Sequence, residues 1–234
     1  MSSAARTLEA ALPGSSSRHA RPKVAVDTVL FALEGGLLKT YLIQLARGAN
    51  RGRWAFPGGL VRVGEMLDHA ARRELRASTG LVNAYLEQLF TFGDPSRDPR
   101  AHVVSVAYMA LVTDPSGVSA PRGKYLRGKW YEVSRLPPLA YDHSLMAEYA
   151  LRRLKSKLEY SNIAYALLPR EFTFAELEDL YTKILGREID RRNFRRRIVS
   201  MHLLRKQPSA RRGAHRPAAL YSFVHQGIRL VEML

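Results

Sequence analysis

Charged side chains recur at wide but regular spacing in residues 59–81, GLVRVGEMLDHAARRELRASTGL. Glu65 precedes the adjacent pair Arg73 and Glu74, and apolar residues at spacings of three and four predict a helix from about residue 66 to 78. Carboxylates on such a helix are the oxygen ligands that Mg²⁺ prefers, and a bound ion would neutralise phosphate charge while water attacks. The segment therefore directs attention to phosphate chemistry.

The spacing resembles the Nudix box, G-x5-E-x7-R-E-U-x-E-E-x-G-U, in which U is a bulky apolar residue. Seven positions match the pattern: Gly59, Glu65, Arg73, Glu74, Leu75, Gly80 and Leu81. Ala77 and Ser78 stand where the pattern has two glutamates. Positions 74, 77 and 78 share one helix face, which here offers one carboxylate instead of three. The resemblance implies a Nudix domain that has lost two metal ligands.

One carboxylate cannot replace three in holding Mg²⁺ between phosphates. We therefore expect no catalytic residue and no required cofactor, with Glu65 and Arg73 pairing to keep the loop and helix in place. The alternative is that Glu65 and Glu74 hold Mg²⁺ weakly and leave residual pyrophosphatase activity.

The flanking sequence predicts the elements that must position this box. Apolar runs predict strands, and Gly, Pro, Ser and Asp clusters predict loops. The predicted strands are 22–32, 37–46, 103–112 and 129–133, the loops are 47–53, 90–100 and 113–127, and an amphipathic helix spans 144–158. Asp142 is predicted to cap that helix, because a carboxylate accepts from free amide groups at a helix start.

Residues 187–216 are strongly basic, with eleven Lys and Arg against two acidic residues. Upstream, Thr173 and Glu176 fit a capping box and Gly186 fits a helix stop, so a helix lies between them. Asp190 opens a second helix from 191 to about 203, and strands at 203–206 and 219–223 flank a loop at 207–217. This order of helix, turn, basic helix and wing is typical of a winged helix-turn-helix.

A run of charge is usually a solvated face, but these arginines lie on the helix and wing that would approach a DNA groove. The planar guanidinium of Arg suits both phosphates and guanine edges, and no aromatic face for stacking RNA bases is present. We predict that double-stranded DNA is contacted by Arg191, Arg192, Asn193, Arg195, Arg196, Arg211, Arg212, His215 and Arg216.

The composition of the 234 residues agrees with a polyanionic partner, since 37 Lys and Arg against 21 Asp and Glu give a net charge of +16. The chain has no cysteine and no run of eighteen apolar residues, and its first 22 residues lack the apolar core of a signal peptide. A cytoplasmic protein without a membrane partner is expected.

The expected fold class is α+β, in three parts. Residues 1–22 form a disordered arm, residues 23–158 a Nudix α/β/α sandwich with a mixed sheet and a bridge helix at its end, and residues 159–234 the winged helix.

Together, the two folded parts resemble the NrtR family, the Nudix-related transcriptional regulators of NAD metabolism in bacteria. The resemblance covers nearly all of residues 22–223 and includes FTFGDPSRDPR (90–100), VVSVAY (103–108), LPPLAYDH (136–143), LEY (158–160) and IDRRNFRRRI (189–198). It implies a repressor of genes for NAD synthesis or salvage, whose first domain binds ADP-ribose and then releases the operator.

The resemblance also implies that ADP-ribose lies between the box and the loops. Arginines suit its pyrophosphate, aromatic rings its adenine, and carboxylates or histidine its ribose hydroxyls. The candidates are, respectively, Arg53, Arg97 and Arg100; Trp54, Phe56 and Trp130; and Asp94, Asp98, Asp142 and His143. The aromatic residues are equally candidates for the core, Asp142 for a helix cap, and His143 for a bond to a loop carbonyl.

A regulator of this type needs two states, and the ligand must favour one of them. A homodimer on a palindromic operator is expected, with the bridge helix 144–158 altering the spacing of its winged helices. The main rival is an active Mg²⁺-dependent ADP-ribose pyrophosphatase with an accessory basic domain. An activator is another reading, since the fold does not fix the direction of regulation. A membrane-surface protein is disfavoured, because the arginines lack an adjoining apolar face.

Overall fold

A computed structural model describes residues 21–121, 123–211, 217–231 and 233. Most of the predicted N-terminal arm, residues 1–20, lies outside these ranges. The strands are β1 (Lys23–Glu34), β2 (Leu37–Leu45), β3 (Trp54–Ala55), β4 (Gly58–Leu60), β5 (Tyr85–Phe92), β6 (Val103–Leu111), β7 (Tyr125–Glu132), β8 (Phe172–Thr173), β9 (Leu204–Arg211) and β10 (Ala218–Phe223). The helices are α1 (Leu67–Thr79), α2 (His143–Tyr160), α3 (Phe174–Leu185) and α4 (Arg191–Ser200).

Strand β1 is the centre of a seven-stranded mixed sheet. Its core order is β3-β2-β1-β6-β5, and β4 pairs with β1 while β7 pairs with β2. The β1–β6 pair is parallel, whereas β1 pairs with β2 and β4 in antiparallel fashion. This arrangement brings β4, which leads into the box, directly beside β1.

Alternate residues of β1 face opposite layers, as the two-residue period of a strand requires. Val29 and Phe31 belong to the apolar cluster that contains α2, whereas Val26 packs with Ala70 and Ala71 of α1. A helix therefore covers each face of the sheet, and the predicted α/β/α sandwich is confirmed.

The C-terminal part is a winged helix, as predicted. Helix α3 begins with the predicted capping box between Thr173 and Glu176, and its C-terminal cap Gly186 has φ +70°. In α4, the N-terminal cap Asp190 accepts from the Asn193 backbone N–H at 3.0 Å. Helices α3 and α4 lie beside a three-stranded sheet of order β8-β10-β9.

Across the described ranges, no helix has both the length and the apolar character needed to cross a bilayer.

Several predicted boundaries were wrong because strand pairing overrode local composition. The predicted loop 90–100 starts inside β5, which continues to Phe92 through pairing with β6. Strand β7 begins at Tyr125, inside the predicted loop 113–127, because it pairs with β2 from Leu45 onward. In the wing, β9 continues to Arg211 opposite Ala218, so residues 207–211 are not a loop.

Two helix predictions also need correction. Helix α4 ends at Ser200 rather than near residue 203, since Met201 caps it by donating to backbone carbonyls. Asp142 occupies the N-terminal cap position of α2 without a capping side-chain bond. Its carboxylate instead accepts from Arg97 Nε at 2.9 Å and Nη2 at 2.7 Å.

Candidate functional site

The loop before α1 is held to the helix by Glu65 and Arg73. The Glu65 carboxylate accepts from Arg73 Nε at 2.6 Å and Nη2 at 2.7 Å, and from the Arg62 backbone N–H at 3.0 Å. The hydrogen bond from Arg73 and that from the Arg62 backbone lower the pKa of Glu65 to about 2. Glu65 therefore stays ionised and fixes the loop against the helix.

Glu74 is buried, with 5% of its surface exposed, and lies between two cations. One carboxylate oxygen accepts from Arg73 Nη1, and the other accepts from Lys124 Nζ at 2.6 Å. The Lys124 ammonium also donates to the Gly58 carbonyl at 2.8 Å. The carboxylate that a metal would need is therefore already neutralised.

The other two positions of the box carry no charge. Ala77 is exposed, whereas Ser78 is fully buried and its hydroxyl donates to the Glu74 carbonyl at 2.8 Å. Within the described ranges, no group of three or more His, Cys, Asp or Glu residues is arranged to hold a metal ion. Mg²⁺ prefers oxygen ligands in near-octahedral geometry, and these three positions offer it one carboxylate, which is paired with Arg73 and Lys124.

A cavity of about 460 Å³ lies beside the box, within the usual size range of small-molecule sites. Its walls come from β1, β4, β6, β7 and the segments that precede α2 and β6. Five of the predicted ligand residues line it: Phe56, Arg97, Asp98, Arg100 and His143.

The floor of this cavity is a buried charged cluster around Asp27. Ser105 donates to the Asp27 carboxylate at 2.6 Å, while His143 Nε2 and Arg97 Nη2 lie 3.7 and 3.8 Å from it. Burial raises the pKa of Asp27, but His143, Ser105 and Arg97 outweigh it and the net pKa is lowered. Similarly, burial lowers the pKa of Arg97, but bonding to Asp142 and the nearby carboxylates raise it overall. Asp27 and Arg97 therefore stay ionised as a fixed, buried pair.

Two predicted residues are anchored to the start of α2. Arg97 bridges Asp27 and Asp142, the latter at the N-terminal cap position. His143 Nδ1 accepts from the Phe56 backbone N–H at 2.9 Å, and the two rings stack with centroids 5.5 Å apart. His143 lines the cavity and is only 2% exposed, so its ring is a fixed part of the cavity wall.

Arg100 presents the accessible positive charge of the cavity. Its side chain is 53% exposed and donates to both carboxylate oxygens of Asp98 and to the Tyr141 hydroxyl. Tyr141 lines the same cavity and has φ +55°, a strained value for a residue with a Cβ. A strained backbone that aims a ring into a cavity is typical of ligand sites.

The remaining predicted ligand residues lie elsewhere. Arg53, Asp94 and Asp142 line an adjoining cavity of about 640 Å³, to which Arg97 and Tyr141 also contribute. Trp54 and Trp130 line neither of these cavities. Their rings pack edge-on against neighbouring tyrosines in the sheet, Trp54 against Tyr131 and Trp130 against Tyr41.

Sequence reasoning missed three residues of the site: Asp27, Lys124 and Tyr141. An aspartate inside the apolar run VAVDTVLFA was a usable signal for Asp27, because a charge in a buried strand needs partners. Lys124 and Tyr141 lie in loops without a diagnostic pattern.

Helix α4 presents the second charged surface. Phe194 and Ile198 are buried, whereas Arg191, Arg192, Asn193, Arg195 and Arg196 are exposed. Arg195 lies over the Phe174 ring, 4.4 Å from its centroid, and Arg196 donates to the Asn193 side chain at 2.8 Å. The five predicted contact residues of α4 thus lie on its exposed side.

The wing is described only in part. Arg211, at the end of β9, forms an ion pair with Glu176 and donates to the Glu171 carbonyl at 3.3 Å. The predicted DNA contacts Arg212, His215 and Arg216 lie outside the described residues.

Helix α2 joins the cavity to the winged helix. Its first residues contact Arg97 and Phe56, and its last residues accept backbone bonds from the C-terminal segment, from Val231 to Tyr160 at 2.8 Å and from Met233 to Glu159 at 2.7 Å. One apolar cluster runs from Val29 and Phe31 of the sheet through α2 to Phe194 and Ile198 of the winged helix. Helix α2 is therefore packed against both parts of the molecule.

Fold and site together define a Nudix-type domain joined to a winged helix. Comparison with protein families agrees, because residues 21–152 match the NUDIX domain and residues 164–223 match the NrtR DNA-binding winged helix domain. The chain belongs to the NrtR family.

Three relatives illustrate this similarity. The ADPR responsive transcriptional repressor NtrR of Acinetobacter baylyi is 32% identical over 213 residues, covering 90% of this chain and 85% of the relative. The ADP-ribose pyrophosphatase of Methanocaldococcus jannaschii is 31% identical over 132 residues, covering 56% of this chain and 74% of the enzyme.

The third relative, Shewanella oneidensis NrtR, has been solved in complex with a 27mer DNA. That structure has a TM-score of 0.76 at 34% identity and covers 86% of this chain and 93% of the other. Its NUDIX domain, solved with ADP ribose, has a TM-score of 0.54 at 33% identity, covering 57% and 89%.

Proposed function

We propose that this protein is a transcriptional repressor of genes for NAD synthesis or salvage, which ADP-ribose releases from DNA without being hydrolysed. The observation that carries the proposal is helix α2, which starts at the cavity and ends against the DNA-binding part. The Acinetobacter relative, named as ADPR responsive, aligns across both parts, which supports the same reading. The proposed location is the cytoplasm.

The cavity beside the box is the proposed ADP-ribose site. Arg100 is the proposed contact to the diphosphate, because its guanidinium is half exposed and Arg forms bidentate bonds with phosphate. Tyr141 offers the ring, and Asp98 offers a carboxylate to ribose hydroxyls. Arg97 and Asp142 act as positioning residues, since their charges already pair with each other.

We propose that the Nudix box contributes to ADP-ribose binding but does not hydrolyse the ligand. Hydrolysis in Nudix enzymes uses carboxylates that hold divalent ions. Here the side chains at positions 77 and 78 are methyl and hydroxymethyl groups, and Glu74 is paired with two cations. Under this proposal, the protein requires no metal cofactor to bind ADP-ribose.

Release is proposed to act through the first turn of α2. A diphosphate at Arg100 competes with Asp98 for that guanidinium and brings negative charge close to the Arg97–Asp142 pair at the helix start. If the ligand favours a different position of α2, DNA affinity falls by the ratio of its affinities for the two states.

A homodimer is proposed to bind a palindromic operator, because paired winged helices read half-sites at fixed spacing. Movement of α2 would change that spacing. Equal separation of the two α4 helices in ligand-free and ADP-ribose-bound crystals would contradict this part.

A gel shift tests the function directly. The full chain is titrated onto DNA from upstream of NAD-synthesis genes of its own genome, with and without ADP-ribose, while chromatography follows the nucleotide. We expect sequence-selective binding that intact ADP-ribose releases. Selective binding that ignores ADP-ribose would contradict the proposed effector.

The second candidate is an ADP-ribose pyrophosphatase, favoured by the similarity to the Methanocaldococcus enzyme and by the retained Glu65, Arg73 and Glu74. Mg²⁺-dependent formation of AMP and ribose phosphate, without selective DNA binding, would establish it in place of the repressor.

A further inference from the structure

Lys124 lies over the only glutamate left at the three metal-ligand positions of the box. Its ammonium donates to Glu74 Oε2 at 2.6 Å and to the Gly58 carbonyl at 2.8 Å. A carboxylate and a backbone carbonyl are both hard oxygen groups, the type that Mg²⁺ and Mn²⁺ prefer. The ammonium therefore binds the same kind of oxygen atoms that a divalent ion would.

The charges around this position already balance. Glu65 and Glu74 supply two negative charges, and Arg73 and Lys124 supply two positive charges, all joined by the bonds described above. A divalent ion is attracted to an excess of negative charge, and these four groups together carry none. Entry of a metal would first require Lys124 to leave.

Gly59 shows how closely Glu74 and Lys124 approach the cavity. A Cβ at position 59 would lie 2.5 Å from Glu74 Oε1 and 2.7 Å from Lys124 Nζ, so a larger residue there would displace the ends of these two side chains. Gly58 and Gly59 form a wall of the ligand cavity. The Lys124 ammonium therefore lies next to residues that line the cavity.

We propose that the Lys124 ammonium replaces the divalent cation of the Nudix box, excluding metal and attracting the diphosphate of the ligand. This inference deepens the proposed function and rests on it for the identity of the ligand. An ammonium has three N–H donors, and protein oxygens of the described residues take two of them. With its side chain 47% exposed, Lys124 directs the third donor to an incoming phosphate oxygen.

The claim that Lys124 excludes a divalent metal ion is tested without any nucleotide. Mn²⁺ is titrated into the full chain and its free fraction is followed by electron paramagnetic resonance, for wild type, Lys124→Ala and Lys124→Met. We expect wild type to leave Mn²⁺ free and both variants to bind it weakly, because the Glu74 and Gly58 oxygens become available while Ala77 and Ser78 add no carboxylate. The matched control is Lys129→Ala, which removes an equal charge from β7 at an exposed residue that lies over the Tyr131 ring.

Metal binding by wild type that the Lys124 variants do not strengthen would overturn the inference. Thermal unfolding of each variant shows whether it is folded, and the Met variant keeps a long unbranched side chain while it removes the charge.

The claim that Lys124 attracts the diphosphate is tested by calorimetric titration of ADP-ribose in EDTA and in Mg²⁺. Wild type is expected to have the same affinity in both. Lys124→Met is expected to bind about tenfold more weakly in EDTA and to recover in part with Mg²⁺, since a hydrogen bond to a charged group is lost. Wild-type binding that requires Mg²⁺, or unchanged binding by Lys124→Met, would overturn this claim. If wild type binds no ADP-ribose, the proposed function fails, while the Mn²⁺ titration still decides whether Lys124 excludes metal.

Discussion

The floor of the cavity and the outer side of α4 are both rich in charge, but they are built in opposite ways. On the floor, Asp27 and Arg97 are buried, and Arg97 also pairs with the partly buried Asp142 beside it. In α4, Arg191, Arg192, Arg195 and Arg196 are exposed, and Arg191 approaches Glu178 and Asp179 only to 3.9 Å. Buried, paired charge fixes geometry, whereas exposed cationic charge is available to a polyanion.

We therefore expect the buried charges to determine the stability of the fold and the exposed charges to determine the affinity for DNA. Removing a charge from the cavity floor should damage the fold first, because its partner stays buried without compensation. Removing a charge from α4 should weaken DNA binding while the fold survives.

The largest expected effect comes from Arg97→Ala. It leaves Asp27 and Asp142 without their shared cation and should lower the free energy of unfolding by about 3–5 kcal/mol. Urea denaturation measures this loss. The control is Arg100→Ala in the same loop. The Arg100 side chain is 53% exposed, so losing its ion pair with Asp98 should lower the free energy of unfolding by at most about 1 kcal/mol. Equal losses in the two variants would contradict the buried role of Arg97.

The next effect concerns DNA. Arg196→Ala should weaken operator binding by about 1–3 kcal/mol and change the free energy of unfolding by no more than about 0.5 kcal/mol. Fluorescence anisotropy and denaturation measure the two quantities. Arg135→Ala removes the same charge from an 84% exposed side chain of the Nudix domain and should leave DNA affinity nearly unchanged. A similar loss with Arg135→Ala would indicate that net charge alone, and not α4, attracts the DNA.

A smaller effect is expected where the wing meets α3. Thr173 caps α3 through Glu176, and Arg211 reaches the same glutamate from β9. Thr173→Ala should destabilise the protein by about 1 kcal/mol, whereas Thr173→Ser retains the hydroxyl and should cost much less. Denaturation of the two variants side by side measures the cap, and equal losses would exclude it as the cause.

The smallest effect depends on pH. The pKa of Glu65 falls from 4.5 to about 2 on folding, so its stabilising effect is complete above pH 4.5 and disappears as the pH falls to about 2. The stability difference between wild type and Glu65→Gln should therefore be constant near neutrality and shrink across that range. A difference that grows on acidification would contradict the pairing with Arg73.

The sequence predicted those features in which distance along the chain sets distance in space. Glu65 and Arg73 are eight positions apart in the sequence and meet across one loop and the first turns of a helix, and the capping box of α3 depends on residues three apart. The exposed side of α4 follows from the helical period alone.

Features that depend on tertiary structure could not be read in this way. Asp27, Arg97 and His143 come from three separate segments, and only the pairing of β1 with β4 and β6 brings them together. Lys124 reaches Glu74 across 50 residues. Trp54 and Trp130 had the correct chemistry for stacking adenine, but the strands that carry them turn their rings toward Tyr131 and Tyr41.

The most direct test of the account compares the dissociation constant of ADP-ribose for the free protein with that for the protein saturated with operator DNA. Linkage requires that DNA weaken ADP-ribose binding by the same factor by which ADP-ribose weakens DNA binding. The account predicts two equal factors greater than one, because both ligands act on the position of α2. An ADP-ribose dissociation constant that operator DNA leaves unchanged would contradict it.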